Sequence, residues 1–138
     1  MKKWLLVFLA ATALLAATFF GNPQRQINHF VRDNREELEA VLRECWADPS
    51  QAREYKQHAI HVATNEVWFD WSGSGLGPAT RYYSFYYSVD EAPHPYPGMA
   101  HYDETVQMFS WTWRQPDGDN GCQIRHIVGN WYYCEAWF

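Results

Sequence analysis

The sequence predicts an α+β fold: one amphipathic helix packed on an antiparallel meander sheet of about five to six strands, behind an N-terminal membrane or signal helix. Three observations predict it. Arg81–Ser88 holds five aromatics in eight positions without Gly or Pro, which suits a pleated, half-buried surface and reads as a central strand. Upstream of it, apolar residues recur at helical spacing. Downstream, strand-like runs are separated by turn signals. A length of 138 residues allows one domain. The division falls at 1–21 for the N-terminal segment and 22–138 for the folded part.

In chain order, Met1-Lys-Lys leads into Trp4–Phe20, an uncharged and mostly apolar run of 17 residues. Seventeen lies at the lower edge of a bilayer-spanning helix and above the h-region of a cleaved signal, about 7–15 residues. Ala11-Thr12-Ala13 is a weak small-x-small cleavage site that leaves a very short h-region. With no Cys near the end of the run, a lipoprotein anchor is not supported. The positive-inside rule keeps the two lysines in the cytoplasm and exports the rest. The expectation is a cell-membrane protein, single-pass through residues 4–20, with its C-terminal domain outside the cytoplasm; if the segment is cut, the protein is secreted.

A helix follows. Asn22 suits the cap and Pro23 the first helical position, where a missing N–H costs nothing. Ile27, Phe30, Val31, Leu38, Val41, Leu42 and Cys45, with polar Asn34 on the same stripe, recur at spacings of three and four and form one apolar face. Arg32, Arg35, Glu36, Glu39 and Arg43 fill the solvated face. Asn34-Arg-Glu-Glu37 has the form of a capping box, so a restart or bend is expected at Asn34. Pro49 ends the helix by disfavouring helical backbone before it, and a short helical turn to about Tyr55 is expected next.

The remainder reads as strands. Ala59–Ala63 and Glu66–Trp71 flank Thr64-Asn65, a two-residue connection in which Asn65 can take positive φ. That loop sets Val62 against Val67 and Ile60 against Phe69 as a buried face, with His61, Glu66, Trp68 and Asp70 on the other. Ser72–Pro78 reads as a flexible loop; it has neither the Gly-Lys-Ser/Thr of a phosphate loop nor Gly-x-Ser-x-Gly. In the aromatic strand, Tyr83, Phe85 and Tyr87 face one side. Tyr82, Ser84 and Tyr86 face the other, and the side with the serines is expected to be the wetter. A connection with three prolines, Asp90–Asp103, leads to Thr105–Trp113. After the turn Pro116–Gly121 come Cys122–Val128, the hairpin signal Gly129-Asn130, and Trp131–Trp137.

Tyr82-Tyr-Ser-Phe-Tyr-Tyr-Ser-Val-Asp-Glu-Ala-Pro93, together with Asn130-Trp-Tyr-Tyr-Cys-Glu-Ala-Trp-Phe138, resembles a family of small, uncharacterised membrane-anchored or secreted proteins of Gram-positive gut bacteria. The resemblance covers most of the exported part and implies no activity. In that family the positions of Cys122 and Cys134 are usually aromatic, so cysteine chemistry here would be a departure. From the residues alone, a two-residue Gly129-Asn130 turn places Arg125 opposite Cys134 and Trp137 opposite Cys122. The two cysteines then lie on opposite faces, where a disulfide, which needs Cα atoms within about 7 Å, cannot form. A bridge from Cys45 to one of them is the alternative to three small buried hydrophobes.

A net charge of -5 argues against a nucleic-acid partner, which needs a dense basic surface. No cofactor is expected. His58 and His61, three apart on a strand, point to opposite faces and cannot chelate together. Asp90, Glu91, His94, His101, Asp103 and Glu104 crowd the long loop without a zinc-ligand spacing. Asp117, Asp119 and Asn120 lack the bidentate Glu of a calcium loop and read as turn formers. The sharper candidate is ligand binding by Trp68, Glu66, Asp70 and His61, an aromatic plate flanked by carboxylates, which suits a sugar ring. As catalysts Glu66 and Asp70 would stand about 13 Å apart at 3.3 Å per residue, beyond the roughly 5–9.5 Å of glycosidase pairs. The plainer reading is that Trp68 is covered by a loop or by a second side of the core. Two function classes follow: a membrane-tethered, non-enzymatic module for a glycan, peptide or envelope protein, or a small hydrolase or metal-dependent enzyme using residues 90–104.

Overall fold

Two short helices and eight antiparallel strands make up the described residues, 21–75 and 79–138, of the computed structural model. The fold is therefore mostly β, which corrects the expected α+β arrangement of one amphipathic helix on five to six strands. The expected membrane segment, Trp4–Phe20, lies outside the described residues. Among those described, no helix is long and apolar enough to cross a membrane.

The helix divides in two because Asn34 leaves helical geometry between α1, Pro23–Asp33, and α2, Arg35–Ala47. At the start of α1 the Asn22 side chain accepts from the Arg25 N–H, and Pro23 follows it. The capping box at Asn34 does not form. Its Nδ2 instead donates back to the Phe30 carbonyl at 2.8 Å, and Glu37 accepts from the Tyr55 hydroxyl at 2.7 Å. The apolar stripe nonetheless faces the sheet, burying Ile27, Val31, Leu38, Leu42 and Cys45. Each of the four aliphatic side chains among them contributes about 1.5–3 kcal/mol by leaving water.

The strands are β1 (Arg53–Tyr55), β2 (His58–Val62), β3 (Glu66–Ser74), β4 (Arg81–Ser88), β5 (Asp103–Gln107), β6 (Ser110–Arg114), β7 (Gly121–Val128) and β8 (Trp131–Trp137). Their order in the sheet is β1-β2-β3-β4-β8-β7-β6-β5. The expected single meander is thus two four-strand meanders joined where β4 pairs with β8. The aromatic strand is β4, and it lies at that central seam. β2 and β3 pair Val62 with Val67 and Ile60 with Phe69, the register that alternation demands. Two elements were not expected: β1 replaces a helical turn, and Thr105–Trp113 is a hairpin with Met108 and Phe109 at its tip. The Gly-rich stretch after Trp71 stays in β3 as far as Ser74.

Two bulges re-aim side chains. One falls between Asp70 and Ser72; Trp71 packs on the helical side, 5.1 Å from Phe30 and stacked on His58 at 4.5 Å. The other, between His126 and Val128, shifts the β7–β8 register. Ile124 then faces Cys134 and Cys122 faces Ala136, so the two cysteines share a face, correcting the expectation that they lie on opposite ones. The displaced Ile127 carbonyl accepts from Arg32 of α1 at 3.0 Å. All three cysteines are buried and free.

Both faces of the sheet are covered. Helices α1 and α2 lie over Phe69, Phe85, Trp131 and Tyr133, where Phe69 and Phe85 stack at 4.8 Å. The opposite face packs Trp68, Tyr86, Ile124, Tyr132 and Cys134 beneath the β4–β5 connection, through Tyr96, Met99 and Tyr102. The serine side of β4 is therefore dry: Ser84 and Ser88 are buried. The connection does here what a helix does on the other face.

Candidate ligand-binding site

The β4–β5 connection is held by the polar ends of the aromatics beneath it. Tyr86 Oη accepts from the His94 N–H at 2.7 Å and donates to the His94 carbonyl at 3.1 Å. Burial pushes the Tyr86 hydroxyl far above its ordinary pKa, so it stays neutral and keeps both roles. Tyr132 Oη donates to the Glu91 carbonyl at 2.8 Å. Ser88 Oγ lies 2.7 Å from both Asp90 Oδ1 and the Ala92 carbonyl, and its single proton serves one of them at a time.

The expected group of Trp68, Glu66, Asp70 and His61 is split by this cover. All four are on one face, but the Trp68 ring stacks on Tyr86 at 4.1 Å and meets the edge of Tyr96 at 5.9 Å. With 4% of its surface exposed, Trp68 presents no plate to a sugar; it is part of the core under the connection. Glu66 turns to His94 Nδ1 at 3.3 Å, while His94 Nε2 meets Asp90 at 2.7 Å. The bonds from His94 and then Ser88 hold the Asp90 carboxyl down at about 2. A ring protonated at both nitrogens donates to both carboxylates, a neutral ring to one. Beside this acid–histidine–acid chain the buried Ser88 hydroxyl is engaged with Asp90 and Ala92. Among the described residues no group of three or more His, Cys, Asp or Glu could hold a metal ion.

Asp70 and His61 behave differently. They pair at 2.8 Å across β2 and β3 with more than half of each side chain exposed, at the middle of β3 where the bulge begins. Beside them the surface falls into two adjoining hollows that share Tyr82 and Tyr96, one reaching Asp70 and the other Phe138. Tyr82 and Phe138 are among the exposed large side chains, at 44% and 38%. Phe138 meets the Tyr82 and Tyr96 rings edge-on at 5.7 and 5.9 Å. Gly73 is what lets Tyr82 lie there: a Cβ at Gly73 would stand 3.2 Å from the Tyr82 ring.

The aromatic surface next to a carboxylate therefore exists, but it is built from Tyr82, Tyr96 and Phe138 instead of Trp68. Alternation along β4 does put Tyr82 on this face. Tyr96 comes from a proline-rich connection whose path no periodicity reveals. The chain matches no family model, no curated protein and no solved structure.

Proposed function

We propose that the chain is a membrane-tethered, extracytoplasmic binding module without catalytic chemistry. Its ligand is a glycan or glycan-like envelope component, held across Tyr82, Tyr96 and Phe138 with Asp70 and His61 at the rim. The observation that carries this reading is the pair of hollows sharing Tyr82 and Tyr96 beside the exposed Asp70–His61 pair. A sugar ring offers an apolar face to aromatic side chains and hydroxyls to a carboxylate, and such amphipathic rings suit wet, concave surfaces. The apolar run Trp4–Phe20 behind Lys2 and Lys3 supports the tether and the export. The resemblance to small membrane-anchored or secreted proteins of Gram-positive gut bacteria fits the same placement.

The test is retention of the full chain, in detergent micelles, on purified cell-wall material and insoluble polysaccharides. Tyr82→Ala is expected to lower the affinity about tenfold, the equivalent of about 1.4 kcal/mol, and Asp70→Asn to lower it less. Absence of retention on all of these materials, or retention indifferent to Tyr82→Ala, would sink the glycan reading.

A further inference from the structure

We propose that the tip of the β5–β6 hairpin is a second membrane contact, with Met108 and Phe109 dipping into the lipid headgroup zone beside the N-terminal segment. The proposal rests on the reading of residues 4–20 as a membrane anchor. Met108 is 94% exposed and Phe109 82%, both on the turn, and Val106 in β5 beside them is 56% exposed. The turn is also built against local preference. Met108 has φ +50, in the left-handed region that two-residue hairpin turns normally fill with Gly, Asn or Asp. A large apolar side chain placed there, left almost fully exposed by the described residues, is expected to serve something outside them.

Its position indicates what that is. Ser110 pairs with Arg125, and Arg125 Nη1 donates to Gln24 Oε1, near the start of α1, at 2.9 Å. Met108, Phe109 and Arg125 line one hollow, and Gly21 to Gln24 line another over Tyr83 and Tyr133. The strands beneath these hollows, β8 and β6, are two strand spacings apart, about 10 Å. The tip and the point where the chain enters the fold thus share one side of the molecule.

There is no slack between that point and the apolar run. Gly21 and Asn22 alone separate Phe20 from Pro23, and two residues reach at most about 7 Å. Helix α1 is fixed by buried Ile27 and Val31, so a bilayer holding residues 4–20 brings this face to its surface. Residues 105–111 carry no charge. Asp103 and Glu104 lie at the far end of the hairpin, and Asp117 and Asp119 in the turn at the opposite end of β6. Apolar side chains of this size suit the depth of about 5–10 Å to which amphipathic surfaces enter the interface.

The experiment places a nitroxide on the full chain as Met108→Cys, with Asp117→Cys as the water-exposed reference. The native thiols are fully or almost fully buried, so labelling is selective. The protein is reconstituted into vesicles of equal parts phosphatidylcholine and phosphatidylglycerol, floated, and washed with alkaline carbonate. Carbonate-resistant flotation, with the label at 108 severalfold less accessible than that at 117 to an aqueous nickel chelate and more accessible to oxygen, is the expected result. If the chain floats but the two labels are equally accessible to nickel, the tip contact is overturned while the anchor stands. Spin–spin broadening at 108 would put a second copy on the tip and overturn it as well. If the chain is lost in the wash, the anchor reading fails and the tip contact falls with it.

Discussion

Tyr86 shows how much of this protein turns on the polar ends of its aromatics. Its ring is core between Trp68 and Tyr132, while its hydroxyl closes two bonds to the His94 backbone. Tyr86→Phe keeps the packing and leaves that N–H and carbonyl unpaired, so a loss of about 1–3 kcal/mol is expected in urea unfolding. Asp90 gives a pH signature. Bonds from His94 and Ser88 hold its carboxyl at about 2, below its ordinary 3.8, so between those values the native protein binds fewer protons than the unfolded chain. The resulting stabilisation is complete above about pH 4 and is lost as the pH falls towards 2. Urea midpoints measured across that window should fall less steeply in Asp90→Asn than in the parent; equal slopes would refute the assignment. At this scale the sequence was legible where alternation decides. The faces of His61, Trp68 and Asp70 follow from period two, but the burial of Trp68, Ser84 and Ser88 depends on a distant segment that no local pattern announces.

At the scale of elements, legibility followed burial on one face. β4 and the β2–β3 hairpin announce themselves because one side is core and the links are short. β5 does not, since all five of its residues are exposed and nothing alternates. The β5–β6 turn carries no sequence signal, because Met108 stands where Gly or Asn would mark it. The β7–β8 register departs from the one a two-residue turn implies because of the bulge at His126–Val128, which the sequence marks only by the adjacent apolar pair Ile127-Val128. Gly121 closes the far end of this hairpin. A Cβ there would stand 2.6 Å from both the Trp113 carbonyl and the Trp137 ring, so Gly121→Ala should cost about 1–3 kcal/mol in thermal or urea unfolding. The β4–β5 connection behaves as a packed layer through Met99, 1% exposed. Met99→Ala should cost about 2–5 kcal/mol. Amide exchange should rise first in residues 89–102, while β4 and β8 keep their protection.

For the whole molecule, the sheet and the helix packed on it hold three thiols out of reach. Burial pushes Cys122 up to about 11 and Cys134 well above its ordinary value, so neither is a reactive thiolate near neutrality. An aromatic disulfide reagent should find no thiol in the native chain and all three cysteines in urea, and added reductant should leave the melting temperature unchanged. Rapid labelling without denaturant would contradict this packing. The meeting of β4 with β8 carries a further consequence, for biosynthesis. Residues leave the ribosome in order, and β4 has β3 on one side long before Trp131–Trp137 exists to pair with the other. About fifty residues separate Ser88 from Trp137, some 2–10 s of translation at about 5–20 residues per second. For that interval the most aromatic strand of the chain offers an unpaired edge, the surface on which extended chains aggregate. The nascent chain needs a holding chaperone most between the synthesis of Ser88 and that of Trp137, and ribosome-bound chains stalled in that interval should recruit one more strongly than chains stalled earlier or released.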